Sequence, residues 1–193
     1  MLGIACFAAT CVVTQCLRHD LDWIDVPLSF YLLGSWSTGL HVAYVVMAIA
    51  LILFGAAMYR GLTPSARSSA PLLLFIVAGI ALCVVMAEGT NTWAHPNTLH
   101  GFVHGVAART TFLCVTVAML LQAWRMRLDV RWRSRFAWAF GGAWVCFVGL
   151  WVQVLWRDLP RGLSQKVLVL LILTWLVAVA WQASRPVATA TPA

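Results

Sequence analysis

The chain has 193 residues, 62% of them hydrophobic and 10% charged, with a formal net charge of +7. A water-soluble domain of that length could not hide so much apolar surface, so lipid is the expected solvent. The basic residues fall in short loops between apolar runs, which anchors and orients helices and excludes a nucleic-acid surface.

In chain order, the first apolar run covers residues 1–17. It lacks the basic leader and small-residue cleavage site of a secretory signal, so it reads as a retained first span. The second, 28–59, exceeds the ~20 residues a bilayer crossing needs and leaves room for an interfacial lead-in that bends near Gly34. The third, 71–87, ends just before Glu88, and the fourth, 99–124, begins within "HPNTLHGFVHG", which holds three of the five histidines. The fifth and sixth are 136–156 and 164–181. Short connections predict antiparallel neighbours in one bundle. No strand-like alternation in ten-residue units appears, which argues against a barrel. The expected fold is an all-α membrane protein of six transmembrane helices, a single domain over 1–183 with a flexible cytoplasmic tail at 184–193.

The loops set an orientation. Arg60, Arg67, the stretch "RMRLDVRWRSR" and Arg185 place eight basic residues at one end. Asp20, Asp22, Asp25, Glu88 and Asp158, five of the six acids, lie at the other. Both termini are therefore expected in the cytoplasm. Trp23, Trp93 and Trp156 would mark the outer interface, with Trp124, Trp132 and Trp181 at the inner one. Twelve of the 13 basic residues are Arg, which we read as a coding bias pointing to a bacterial cytoplasmic membrane. The six cysteines form no Cys-x-x-Cys pair and are expected to pack as small apolar groups.

Counting ~20 residues back from Arg60 and from Arg125 places His41, His100 and His104 at one depth near the outer face, level with Glu88. His100 and His104 are four apart and share a helix face, so with His41 they are a candidate three-histidine zinc site. The bland alternative is that they only bond neighbouring carbonyls. Glu88 is the candidate general base, or the carboxylate that orients a metal-bound histidine. Arg109 lies about one and a half turns below His104. An intramembrane Arg should meet a cavity, a carboxylate or a lipid phosphate. Glu88 is its expected partner, and an anionic headgroup its candidate ligand. Phe140, Trp144, Phe147 and Trp151 form an aromatic stripe with lipid-facing or packing duty.

Two segments carry a resemblance. "LRHDLDWIDVPLSFYLLG" and "TLHGFVHGVAA" resemble the charged outer loop with a Ser-x-Tyr-x-x-Gly helix start, and the Leu-His-Gly-x-x-His-Gly helix start, of a prokaryotic family of six-helix membrane proteins known only as a domain of unknown function. Ser29, Tyr31, Gly34, His100, Gly101 and His104 match its pattern. Where the family often carries Phe-Pro-x-Asp, this chain has "WAHPN". The spacing of Ser37, His41, His100 and His104 is also similar to intramembrane zinc hydrolases such as alkaline ceramidases and adiponectin receptors. That likeness implies zinc on the three histidines and Ser37 beside the oxyanion, although those enzymes have seven helices and an Asp that this chain lacks. Three functions follow: a zinc-dependent hydrolase of a lipid amide or ester, a single-haem b electron-transfer protein, or a non-catalytic transporter or partner subunit among membrane lipids.

Overall fold

The structure, a computed structural model, describes residues 1–91 and 97–185. Trp93 and His95, the "WAHP" segment and residues 186–193 of the expected tail lie outside the described residues. Among the described residues six α-helices follow one another: α1 (Leu2–Leu17), α2 (Ser37–Gly61), α3 (Ser69–Ala87), α4 (Leu99–Met126), α5 (Phe136–Leu155) and α6 (Arg161–Ser184). Helix is what lipid demands of a single segment, because each backbone N–H and C=O must find its partner within it. Five of the six are long and apolar enough to cross a membrane; α1, with 16 residues, is shorter. At 1.5 Å per residue α1 is about 24 Å long, against a hydrocarbon core of about 30 Å.

The 28–59 run does not make one bent helix. It forms a 3-10 helix, Leu28–Leu32, and then breaks completely before α2. Gly34 at φ 77 and Trp36 at φ 66 take left-handed conformations there. Two such residues in three end any helix, since an L side chain resists that region. The expected bend near Gly34 is thus a full break.

Consecutive helices pack side by side, and α6 returns to touch α1 and α2. The α2–α3 seam is close: a Cβ on Gly79 would meet the Ala48 carbonyl at 2.9 Å. Phe54 of α2 stands edge-on to Phe75 of α3 and Trp175 of α6, tying three helices together. Helix α5 buries Ala139, Ala143, Cys146 and Leu150. The adjacent stripe of Phe140, Trp144, Phe147 and Trp151, one residue further round the helix, runs edge-to-face along it, with Trp144 and Trp151 exposed. Cys11 and Cys146 are buried, but Cys6 and Cys16 are exposed, so core packing describes only some of the cysteines.

At the basic end, three arginines serve the backbone. Arg67 donates to the carbonyls of Arg60 and Leu62 just beyond α2. Arg125 donates to those of Ser65, Ala66 and Arg67, and Arg131 to Gln182, Ala183 and Arg185 at the end of α6. These carbonyls have no helical partner, and at the ends of α2 and α6 a cation also meets the negative pole of the helix dipole. Asp129, buried at 3% exposure, accepts from the Thr63 and Arg131 amides. Trp132, expected as an interface anchor, is instead buried at 1% exposure. The turn that Asp129 closes, with the Trp132 amide donating to the Asp129 carbonyl, belongs to the core at this end.

Candidate functional site

The opposite end carries the α1–α2, α3–α4 and α5–α6 loops, and the histidines gather there. Thr98 caps α4: its hydroxyl accepts from the Gly101 amide at 2.9 Å and donates to Asn91 Oδ1, which also accepts from the Thr98 amide. A Cβ on Gly101 would run into the Asn91 amide group. That is the physical role of the glycine in "LHG".

With α4 so placed, both its histidines turn to the same residue of α3. His100 Nδ1 lies 2.6 Å from Glu88 Oε2, and His104 Nδ1 lies 2.9 Å from the Glu88 carbonyl. The His-x-x-x-His spacing therefore clamps the C-cap of α3. His100 is exposed, its side chain at 76%, whereas His104 is 5% exposed. His41 Nδ1 meets the Ser37 carbonyl at 2.7 Å, one turn back on its own helix. A carbonyl carries no proton to give, so in His41 and His104 Nδ1 must be an N–H, and in the neutral ring the lone pair is on Nε2.

Among the described residues, no three His, Cys, Asp or Glu side chains are gathered closely enough to hold a metal ion. The structure brings Glu88, His100 and His104 together and leaves His41 and Ser37 apart from them. Arg109 also stands apart. The expected Arg109–Glu88 pair does not form; Glu88 Oε2 meets His100 instead. Nine residues separate Arg109 from His100, about two and a half turns, which puts it on the opposite side of α4. Arg109 is exposed, and its guanidinium lies back along α4 against Gly105.

A cavity of about 90 Å³ opens beneath His104. One stripe of α4 forms a wall, namely His104, Ala108, Thr111 and Val115. Met47 and Leu51 of α2, Val85 of α3 and Ile172 of α6 are among the apolar residues opposite. Ser29 and Gln165 join His104 in the polar part of the lining. The α4 part of the lining, residues 104 to 115, spans about 16 Å of helix, so the cavity follows α4 lengthwise as a slot.

The loop before the 3-10 helix positions Ser29. Arg18 grips both Asp20 oxygens, at 2.7 and 2.8 Å, and reaches the Leu33 carbonyl beside Gly34. The bonded Arg18 guanidinium holds the Asp20 carboxyl below its ordinary range, and the carboxylate in turn raises Arg18. The carbonyls of Ile24 and Asp25 accept from the Leu163 and Gly162 amides, so this loop caps α6 in place of a side chain. Gln165 Oε1 accepts from the Leu28 amide at 2.8 Å, and Lys166 donates to the carbonyls of Trp23 and Val26. Burial raises the Tyr31 phenol above its usual value. Its fully buried hydroxyl has no hydrogen-bond partner among the described residues.

Sequence reasoning found Glu88, His100 and His104, and reached Ser29 only through the family resemblance. It missed Gln165 and the seat of the 24–26 loop on α6. Gly162, directly after the Pro160–Arg161 helix start, was the available signal.

A family model described as "Protein of unknown function (DUF998)" matches residues 1–182. The chain belongs to the DUF998 family. The resemblance read from the two motifs is thereby borne out as membership of a family described only as a domain of unknown function. No curated protein and no solved structure matches the chain. What this DUF998 protein does must therefore be argued from its site.

Proposed function

We propose that this DUF998 protein is a membrane-embedded binder of a single-chain, lipid-like amphiphile, received in the slot below His104. All six helices cross the cytoplasmic membrane of a bacterium in this reading, with both termini inside and the histidine end outside. Its support is the charge asymmetry between the two ends. Arg60, Arg127, Arg133, Arg135 and Arg185 are left over at the basic end after the carbonyl-capping arginines are set aside. The single observation that carries the binding reading is a 95%-buried histidine, its Nδ1 committed to the Glu88 carbonyl, in the lining of a mainly apolar cavity. His104 Nε2 has no hydrogen-bond partner among the described residues and is free to meet a ligand atom. Arg109, exposed without a hydrogen bond or ion pair to a described residue, is positioned to hold a lipid phosphate on the outer surface of α4.

A metal-dependent hydrolase draws support only from the ring orientation. Each of the three histidines presents Nδ1 to an oxygen and leaves Nε2 open, as metal ligands do. The donor set does not fit as it stands, since among the described residues no third ligand joins the His100–His104 pair.

The test is to identify lipids that stay with the protein purified in mild detergent, beside an Ala108→Phe variant that fills the slot. The reading expects a near-stoichiometric single-chain species in the parent protein that is lost from the folded variant. No such species, or equal amounts in both, refutes it. Zinc or iron lost on His104→Ala would move the conclusion to metal chemistry.

A further inference from the structure

The mouth of the slot is selective in its chemistry. Resting on the lipid-slot reading, we infer that the ligand's headgroup is uncharged and donates a hydrogen bond, as a hydroxyl or primary amide does, and is not a carboxylate or phosphate. Three observations carry this.

His104 is fixed as an acceptor. Its Nδ1 hydrogen is committed to the Glu88 carbonyl at 2.9 Å, so the nitrogen left for a ligand bears a lone pair. An anionic oxygen has no proton to offer it and would face lone pair to lone pair. A hydroxyl points its hydrogen there and keeps its own oxygen free to accept.

The rim also offers something to that oxygen. Gln165 spends its carbonyl on the Leu28 amide, which turns its NH₂ into the available group. Ser29, beside it in the lining, has a hydroxyl that can donate or accept. One acceptor and two donors around one opening match an alcohol or amide head.

No cation is available to an anion there. Among the described residues none of the lining groups is Lys or Arg. Of the nearby cations, Arg18 is held by Asp20 and by the Leu33 carbonyl, and Lys166 by the carbonyls of Trp23 and Val26. Burying an anionic head without a counter-charge is strongly unfavourable. A site built to hydrogen-bond one head rejects another mainly by leaving its own buried polar atoms unpaired.

The experiment titrates the detergent-solubilised full chain with 1-decanoyl glycerol, decanoate and decyl phosphate at about pH 8, where both acids are ionised, and reads occupancy by native mass spectrometry. The expected result is that decanoyl glycerol binds at least about tenfold tighter than either anion. His104→Phe should shrink that preference below about threefold while chain binding persists. Ala108→Phe should remove all three. If the parent protein binds the three alike, or prefers an anion, and Ala108→Phe still blocks binding, the headgroup assignment fails and the slot reading survives. If nothing binds, or Ala108→Phe changes nothing, the slot reading itself fails. The parent-protein comparison needs no variant, so a poorly folded His104→Phe leaves the test intact.

Discussion

Gly162→Ala probes the joint on which Ser29 and the slot depend. A Cβ at this position would lie 2.5 Å from the Val26 carbonyl oxygen and 2.7 Å from that of Ile24. Those neighbours are backbone and have no rotamer by which to yield, so the 24–26 loop must lift. Lifting it breaks the amide bonds from Gly162 to Asp25 and from Leu163 to Ile24, at 3.2 and 2.7 Å. Two backbone bonds at about 1 kcal/mol net each give about 2 kcal/mol. Overpacking adds about 1–3 kcal/mol, and the better helix propensity of Ala returns up to about 1 kcal/mol. The net expectation is a destabilisation of about 2–4 kcal/mol, with faster amide exchange at Gly162, Leu163 and Leu28 and loss of chain binding. A Cβ on Gly141 would meet nothing within 4 Å, so Gly141→Ala is the control and should be neutral or stabilising by up to about 1 kcal/mol. Equilibrium unfolding in detergent with hydrogen exchange reads both. A Gly162→Ala cost under about 0.5 kcal/mol with unchanged exchange in residues 24–28 would refute the docking argument.

Other consequences are open to the same methods. Asp129→Ala removes a buried acceptor from the Thr63 and Arg131 amides and should destabilise by about 3–6 kcal/mol, since bonds to a charged group are worth about 1.5–3 kcal/mol each; chemical unfolding measures it. The Asp20 carboxyl is held low by Arg18, so its contribution is complete above the ordinary carboxylate value of about 3.9 and is lost as pH falls through its own lower value. Carbon-13 titration should find that midpoint below about 3.9, and Arg18→Leu should bring it back up. Glu88→Gln alters the acceptor for His100 but not the backbone carbonyl that holds His104. Nitrogen-15 shifts should then move for the first ring and stay put for the second, with the proton still on Nδ1.

The helices were legible because lipid leaves few choices: long apolar runs with short polar breaks become helices, and four of the six end within about two residues of the run that announced them. The 28–59 run misled because its hydropathy is continuous, whereas Gly34 and Trp36 break the backbone through positive φ, which hydropathy does not register. Trp132 misled for a related reason, since composition marks an aromatic near a loop as an interface anchor while the Asp129 turn folds it inward. At the site, the four-residue spacing correctly paired His100 with His104 on one face. Its target was a carboxylate and a carbonyl of α3, a contact set by the Asn91–Thr98–Gly101 knot. Glu88 was read at the right level, but Arg109 was assigned to it without allowing for the half-turn that separates Arg109 from His100. The slot has no sequence signature at all, because a void is a property of how Ala108, Met47 and Ile172 fail to meet.

The most direct test of the account is photocrosslinking with a decanoyl glycerol bearing a diazirine at the chain end, followed by peptide mapping. The account predicts adducts concentrated at Leu51, Val115 and Ile172, deep in the slot, and suppressed by excess unlabelled decanoyl glycerol and by Ala108→Phe. Adducts confined to exposed outer positions such as Val148 and Leu170, insensitive to competitor, would contradict it and leave the cavity below His104 without a ligand.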